Sequence, residues 1–319
     1  MAMIGTDILA VKKLLEAGEV VGIPTETVYG LAGNALNDDA VLQIFKVKNR
    51  PQFDPLIVHT NSLEKVKTFV ADFPPKAQQL AEAFWPGPLT LLLPKSEAIS
   101  DLVTSGLGTV AVRIPNHPLT LELLSELDFP LAAPSANPFG YISPTSAQHV
   151  EKQLGKKIPY ILDGGASQVG IESTIVGFEE EETVVYRLGG ASVEAIENVV
   201  GPVRLVAHSS SNPKAPGMLK SHYSPRKPLF INALEEVVKA YDAQKVGYLT
   251  FKKTSPLVPA EHQRILSSSG SYAEAAKHLF AYMRQLDALE VEVICTELLP
   301  EKDLGRAIND RIRRAAVRE

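Results

Sequence analysis

Pro24-Thr25-Glu26-Thr27-Val28-Tyr29-Gly30-Leu31 is the stretch on which the reading of the fold turns. It follows Val20–Ile23, a short apolar run ended by Pro24. Such a run reads as a buried strand. Hydroxyls at the carboxyl end of a strand often face a ligand in α/β sheets. Taken alone, the segment is equally an ordinary capped turn, so its meaning depends on what surrounds it.

Upstream, Asp7 is placed to cap a helix reaching Ala17, with Ile8, Val11, Leu14 and Leu15 on one face and Gly18 beyond its end. Downstream, the pattern predicts helices over Asp38–Val47, Pro74–Phe84, Pro118–Leu127 and Thr145–Leu154, the last started by Ser143 and Pro144. A further helix is capped by Ser192 and closed by Gly201. Strands are expected at Leu56–His59, Leu89–Leu93, Thr109–Ile114, Leu131–Ala133, Ile158–Leu162, Ser173–Phe178 and Thr183–Arg187. Residues 203–227 hold Ser209–Ser211, Pro213, Pro216, Gly217 and Pro225 without periodicity, and read as a linker. After them, strands at Leu229–Asn232, Val246–Thr250, Arg264–Leu266 and Val291–Cys295 alternate with helices at Ala233–Tyr241, Tyr272–Leu286 and Leu304–Ala316. This alternation predicts a small parallel α/β sandwich over 228–319. The expected division is a mixed α/β domain over 1–202, a linker over 203–227 and an accessory α/β domain over 228–319.

Composition narrows the function. The chain has 319 residues, 45% of them apolar, and a formal charge of −5. That fits a globular protein and excludes a disordered one. The single cysteine, Cys295, excludes a disulfide scaffold and reads as a small buried apolar residue. No apolar run approaches the roughly 18 residues of a membrane span. The N-terminus has no basic stretch followed by an apolar one, so a cytoplasmic, membrane-free protein is expected. Charge is uneven: residues 1–202 carry net −10, residues 203–227 carry +5 and residues 228–319 are balanced. A general nucleic-acid binder would show a broad basic surface instead.

Familiar chemistry is missing. There is no Walker-type loop, no G-x-G-x-x-G after a strand, no G-x-S-x-G elbow, and no metal-ligand spacing among the seven histidines. Polar residues instead cluster at predicted strand ends. Lys48 and Arg50 end a helix, where the macrodipole alone would favour them. With Asp54 to His59 following at once, they would also form a compact anion site. Alternation puts Thr109, Ala111 and Arg113 on one strand face. Arg113 needs a partner there, either a structural carboxylate or a ligand. Ala132-Ala133-Pro134-Ser135-Ala136-Asn137 combines small residues with two hydrogen-bonding side chains. Asp163-Gly164-Gly165, Glu172-Ser173-Thr174 and Tyr186-Arg187-Leu188-Gly189 complete the set. Together they suggest a pocket for a highly anionic small molecule with a hydroxyl-rich subsite.

These residues resemble a known family. The stretch Pro24–Leu31, the K-x-R of Lys48 and Arg50, Pro55–His59, Phe84-Trp85-Pro86-Gly87-Pro88-Leu89-Thr90 and the S-x-N of Ser135 and Asn137 resemble the YrdC-like domain of threonylcarbamoyl-AMP synthases. Pro216-Gly217-Met218 with His222-Tyr223-Ser224-Pro225, followed by an α/β domain, looks like the long two-domain form. The resemblance implies a twisted mixed sheet around a deep central cavity and a smaller Rossmann-like C-terminal domain. It implies synthesis of L-threonylcarbamoyl-AMP from L-threonine, bicarbonate and ATP, with release of pyrophosphate. This is the first step of threonylcarbamoyl-adenosine modification of tRNA.

Residue by residue, the resemblance assigns Lys48 and Arg50 to bicarbonate and the phosphates. Arg50, Asp54, Thr109, Ser135, Asn137, Ser143, Arg187, His222 and Tyr223 match the ATP contacts. Thr27, His59, Arg113, Ala133 and Ser173 match the threonine subsite. Asp54 departs from the usual asparagine before Pro-Leu-Ile-Val-His, which leaves its nucleotide contact in question unless it meets magnesium or pairs with Lys48 or Arg50. Mg2+ is expected with the triphosphate, and no organic cofactor. The expected partners are the three substrates and a downstream threonylcarbamoyl transferase complex, without direct tRNA binding in this step. The basic linker is expected to close over ATP as a lid. Two other readings compete: a non-catalytic RNA-binding or ribosome-associated module, and a carbamoyl-transfer domain of the hydrogenase-maturation type. The acidic first domain opposes the former. Too few residues and cysteines oppose the latter.

Overall fold

A computed structural model describes residues 1–180, 182–206, 215–217 and 222–317. Its first 205 residues supply eleven strands: Met3–Gly5 (β1), Val21–Ile23 (β2), Gly30–Asn34 (β3), Ile57–His59 (β4), Leu89–Pro94 (β5), Thr109–Arg113 (β6), Leu131–Ala132 (β7), Tyr160–Leu162 (β8), Thr174–Glu179 (β9), Glu182–Arg187 (β10) and Val203–Leu205 (β11). They form one mixed sheet in the order β1-β8-β2-β3-β7-β4-β6-β5-β9-β10-β11. β4 and β6 are parallel neighbours, as are β5 and β9. β5 runs antiparallel to β6.

The alternation of buried side chains explains why this sheet makes a cavity. Val58, Leu91, Val110 and Val112 enter the main helix-covered core. Their neighbours Ile57, Leu92 and Ala111 face the other way, into a small cluster with Ile175, Tyr186 and Ala215. A side-chain period of two makes this division unavoidable once the strands pair. The second face is only partly filled, and the cleft described below opens there.

Helix starts follow the expected chemistry. Asp7 accepts from the Ala10 amide, Asn37 from Asp39 and Ala40, and Ser192 from Ala195. Each satisfies an amide that the first turn leaves unpaired. One start differs: Ser146, not Ser143, caps the helix Ala147–Leu154. Pro144 and Thr145 lie outside the helix, and the Pro144 carbonyl accepts from the Tyr29 amide across the domain.

Three strands lie where none was expected. β1 is a three-residue edge strand, too short for a pattern. β3 is Gly-Leu-Ala-Gly-Asn, with two glycines and no β-branched residue. β11 falls in the segment expected to be linker and extends the sheet beside β10.

The second sheet is parallel, in the order β12-β15-β13-β14, from Leu229–Ile231 (β12), Val246–Thr250 (β13), Gln263–Ile265 (β14) and Val293–Thr296 (β15). The helices Tyr272–Ala288 and Leu304–Ala316 pack on it and also on the first domain. One buried apolar cluster joins Val28, Ile142, Ile171 and Tyr223 to Leu279, Phe280, Ile308 and Ile312. The domains therefore share a core rather than hanging from a linker. Among the described residues, no helix is long and apolar enough to cross a membrane.

Candidate active site

The cleft is built at the carboxyl ends of β4 and β6. Register places His59 directly beside Arg113. Around them stand Thr27 from the Pro24–Leu31 loop, Ala133 and Ser135 from the segment after β7, Ser173 before β9, and Arg187 at the end of β10. Arg50 enters from the exit of the helix Asp38–Lys48. Of the described linker residues, Pro216, Gly217, His222 and Tyr223 also line it. The enclosed space is about 50 Å3, room for only a few water molecules at ~10–15 Å3 each.

Lys48 is buried, and Nζ donates to the backbone carbonyls of Ser135 at 2.5 Å and Asn137 at 2.6 Å. It therefore holds the S-x-N loop and is not spent on its own helix terminus. Burial, and then the charge of Arg50, hold its pKa well below the ordinary lysine value. Asn49 adopts a left-handed conformation and ends the helix, so Arg50 turns into the cleft. Arg50 donates Nε to the Asp54 carbonyl at 3.0 Å and Nη2 to the Pro55 carbonyl at 2.8 Å. The Asp54 carboxylate lies 2.9 Å from Nη2.

Asp54 is fully buried, and its other oxygen accepts from the Gly217 amide at 3.3 Å. It does not line the cleft. The carboxylate that replaces the expected asparagine here pairs with Arg50 and tethers the linker, which resolves how a negative charge is tolerated beside an anion site.

Arg113 is equally committed. Nε donates to the Gly87 carbonyl, Nη1 to the Thr27 hydroxyl at 2.9 Å, and Nη2 lies 2.6 Å from Glu26. Both partners of that pair are buried. The structural partner that strand burial demanded is thus Glu26, a residue inside the opening stretch to which no role was given. An arriving carboxylate meets an already neutralised pair and must share or displace Glu26.

Arg187 reaches the cleft through a β-bulge. Register shifts between Val185 and Arg187, so Arg187 follows Tyr186 onto the cleft side instead of alternating away. It donates twice to the Ser173 carbonyl, once to the Ser173 hydroxyl at 3.0 Å, and to the Pro216 carbonyl at 3.4 Å. Ser173 in turn bonds the Thr90 hydroxyl at 2.7 Å.

Ser143 and Asn137 are buried just behind the lining. Ser143 donates to Glu172 at 2.5 Å, and Asn137 donates to the Pro138 and Tyr141 carbonyls while its Oδ1 keeps no partner. Thr109 begins β6 opposite Pro94, two residues down the face from Ala111, and is not among the residues lining the cleft.

The three described cations of the linker are not gathered over the cleft. Arg204 pairs with Glu179 and Glu182, Arg226 lies over the Tyr141 ring, and Lys227 donates to the Asp287 and Leu289 carbonyls. Lys214, Lys220 and Met218 lie outside the described residues. Among the described linker residues, Pro216, Gly217, His222 and Tyr223 are the ones that touch the cleft. Tyr223 sits at φ 67° with its ring against Phe280 and under Arg314, and His222 packs edge-on to both Phe139 and Tyr223.

One further cation comes from the far end of the chain. Arg311, on the last helix, is fully buried and lies 3.1 Å from Glu172, donating through both Nε and Nη2. Glu172 thereby links Arg311 to Ser143. Arg311 carried no sequence signal, because one arginine among several on an amphipathic helix reads as a solvated face.

His59 supplies a pH dependence. Its Nδ1 lies 3.2 Å from the Ile57 carbonyl, and burial, followed by the Arg113 charge, pushes its pKa down to about 3. The folded state keeps this ring neutral while the unfolded chain protonates it below about 6.5. Its contribution is therefore complete above pH 6.5 and is lost as pH falls toward 3. At about 1.4 kcal/mol per unit the loss is on the order of a few kcal/mol. His59→Asn keeps an N–H near the Ile57 carbonyl but cannot titrate. Denaturation midpoints across pH 7 to 3 should fall less steeply in the variant, and an identical slope would refute this role.

Comparison with known proteins follows the same architecture. Residues 13–189 match the family described as "Telomere recombination", and residues 191–317 match "Threonylcarbamoyl-AMP synthase, C-terminal domain". A threonylcarbamoyl-AMP synthase of Pyrococcus abyssi is 39% identical over 95% of this chain and 92% of its own length. One of Bacillus subtilis is also 39% identical, over 95% and 91%. A solved structure of P. abyssi Sua5 complexed with L-threonine superposes with a TM-score of 0.92 at 37% identity, covering 99% of this chain and 97% of that one.

Proposed function

The chain belongs to the threonylcarbamoyl-AMP synthase family, and from that premise we propose that it is a nucleotidyltransferase making L-threonylcarbamoyl-AMP from L-threonine, bicarbonate and ATP. The observation that carries this reading is the cleft itself. Arg50, Arg113 and Arg187 meet there with the hydroxyls of Thr27, Ser135 and Ser173, and Lys48 braces the loop that carries Ser135. The threonine complex of the P. abyssi relative supports threonine as one occupant.

Threonine lies against Thr27, His59, Arg113, Ala133 and Ser173 in this reading. Its amine attacks bicarbonate, giving a carbamate and water. A carbamate oxygen then attacks the ATP α-phosphorus, and the bond to pyrophosphate breaks. The protein contributes no nucleophile; it positions three charged reactants and stabilises the charge that develops. Arg50 retains Nη1 for bicarbonate and phosphate oxygens, and Lys48, behind the wall, acts through the S-x-N loop that its Nζ holds. Arg187, Ser135, Asn137, Ser143, Tyr223 and His222 take the nucleotide, with Thr109 and Asp54 in outer positions.

Magnesium would arrive with the triphosphate. The carboxylates nearest the cleft, Glu26, Asp54 and Glu172, are each committed to an arginine, and no group of three metal-ligating side chains occurs among the described residues. The donor set therefore fits an ion held by phosphates and water. The product would pass to a threonylcarbamoyl transferase acting on tRNA.

The decisive experiment combines purified protein, ATP, L-threonine and bicarbonate. Pyrophosphate release should require both threonine and bicarbonate, and mass spectrometry should find threonylcarbamoyl-AMP. Equal release without threonine would refute the reading.

A further inference from the structure

A second cavity lies behind the cleft, at the seam of the two domains. It encloses about 250 Å3 and is lined by Tyr141, His149, Lys152, Arg226, Arg284 and Asp287, with Gln153 beside them. Arg284 and Lys152 stand there beside one carboxylate, Asp287, whose oxygens already hold two donors. Asp287 accepts from the Tyr141 hydroxyl at 2.6 Å and from the Lys227 amide at 3.2 Å. The guanidinium groups of Arg284 and Arg226 flank the Tyr141 ring at 5.1 and 5.8 Å from its centre.

The donors outnumber the acceptors. Arg284 is 8% exposed. Its Nε donates to the Ser143 carbonyl at 3.1 Å, and its Nη2 to the Ile142 carbonyl and to Gln153 at 2.9 Å. Its Nη1 makes no hydrogen bond among the described residues. His149 accepts the Thr145 amide on Nδ1 at 3.2 Å, so the neutral ring carries its proton on Nε2, which also has no acceptor among them. Burial, and then the charges of Arg284 and Lys152, hold the pKa of this ring down to about 4. Open donors on Arg284 Nη1 and His149 Nε2, with the Lys152 ammonium at the rim, are complementary to a compact anion with several oxygens.

We propose that this seam cavity binds a small phosphate-class oxyanion, at a site separate from the substrate cleft and mechanically joined to it. The join is Arg284. It holds the Ile142 and Ser143 carbonyls, and Ser143 in turn bonds Glu172 at the cleft wall. The same segment carries the bridge from Tyr141 to Ser224, next to Tyr223. An anion on the remaining face of Arg284 would fix the wall that carries Ser143. Arg226, one of the linker's basic residues, finds its place here rather than over the cleft.

Histidine-selective proton–carbon NMR on the full chain tests this, with inorganic phosphate as the first probe and pyrophosphate as the second. His149 reports on the seam and His59 on the cleft. The His149 signal should move saturably with at least one probe and stay still in chloride of equal ionic strength. Lys152→Glu, an exposed substitution that leaves the fold alone, should weaken that binding about tenfold, or roughly 1.4 kcal/mol. A His149 signal that neither probe moves, movement of His59 alone, or equal affinity in Lys152→Glu would each overturn the proposal.

Discussion

Replacing Lys48 by Met is expected to lower the rate of pyrophosphate release by about 10²–10³, the scale of losing one oriented charge contact in a preorganised site. The side chain is buried and its Nζ already bonds the Ser135 and Asn137 carbonyls. Met conserves the length but removes three donors at once. Two buried carbonyls then lose their partner, at about 1–3 kcal/mol each, and the loop carrying Ser135 and Asn137 is freed. The loss should therefore appear in kcat and in KM for ATP together. Arg at this position should not rescue it, because a planar guanidinium cannot replace a compact ammonium between two carbonyls. Steady-state kinetics with a melting curve for each variant separates chemistry from unfolding. A near-normal rate in a folded Lys48→Met protein would remove the role assigned to this residue.

Arg311→Met carries the second large effect, and it tests whether the C-terminal domain belongs to the site. The substitution strips Glu172 of a buried partner 3.1 Å away. Breaking one half of a buried pair typically loses about 3–5 kcal/mol, whereas replacing both halves is far milder. The double variant Glu172→Gln with Arg311→Met should thus recover much of the stability lost by the single change. Activity should recover less, since a neutral amide oxygen replaces the carboxylate that accepts from Ser143. Denaturant midpoints and KM for ATP on the unsubstituted protein, the two single variants and the double form a complete cycle. If Arg311→Met costs less than about 1 kcal/mol, the last helix is a cover and not an anchor.

Much of this architecture was legible in local pattern. Leu89–Pro94 and Thr109–Arg113 alternate or run apolar as buried strands must, and the helices from Asp7, Asn37 and Ser192 carry their caps in the sequence. β3 was not legible, because Gly30 and Gly33 sit where Cβ atoms would press on Ala133, Val20 and Ile44. The close packing that makes β3 a strand removes the residues by which strands are recognised. Within the site, Thr27, His59, Arg113, Ala133, Ser135, Ser173, Arg187, Arg50, His222 and Tyr223 are brought to one cleft. Lys48, Asn137, Ser143 and Asp54 stand behind its wall, and Thr109 stands apart.

The sequence by itself determined the family, the two-part α/β organisation and the residue types that gather on strand ends. These rest on local spacing, where a period of two or 3.6 and a cap suffice. Only the tertiary structure decided what each charge is paired with. Arg113 meets Glu26, Arg50 meets Asp54, and Arg311 reaches Glu172 across 139 positions. The bulge before Arg187 likewise turns a side chain that alternation would have sent to the opposite face. A buried charge must be compensated by whatever the topology brings within a few ångströms. That neighbour is set by strand order and domain packing, on which local periodicity is silent.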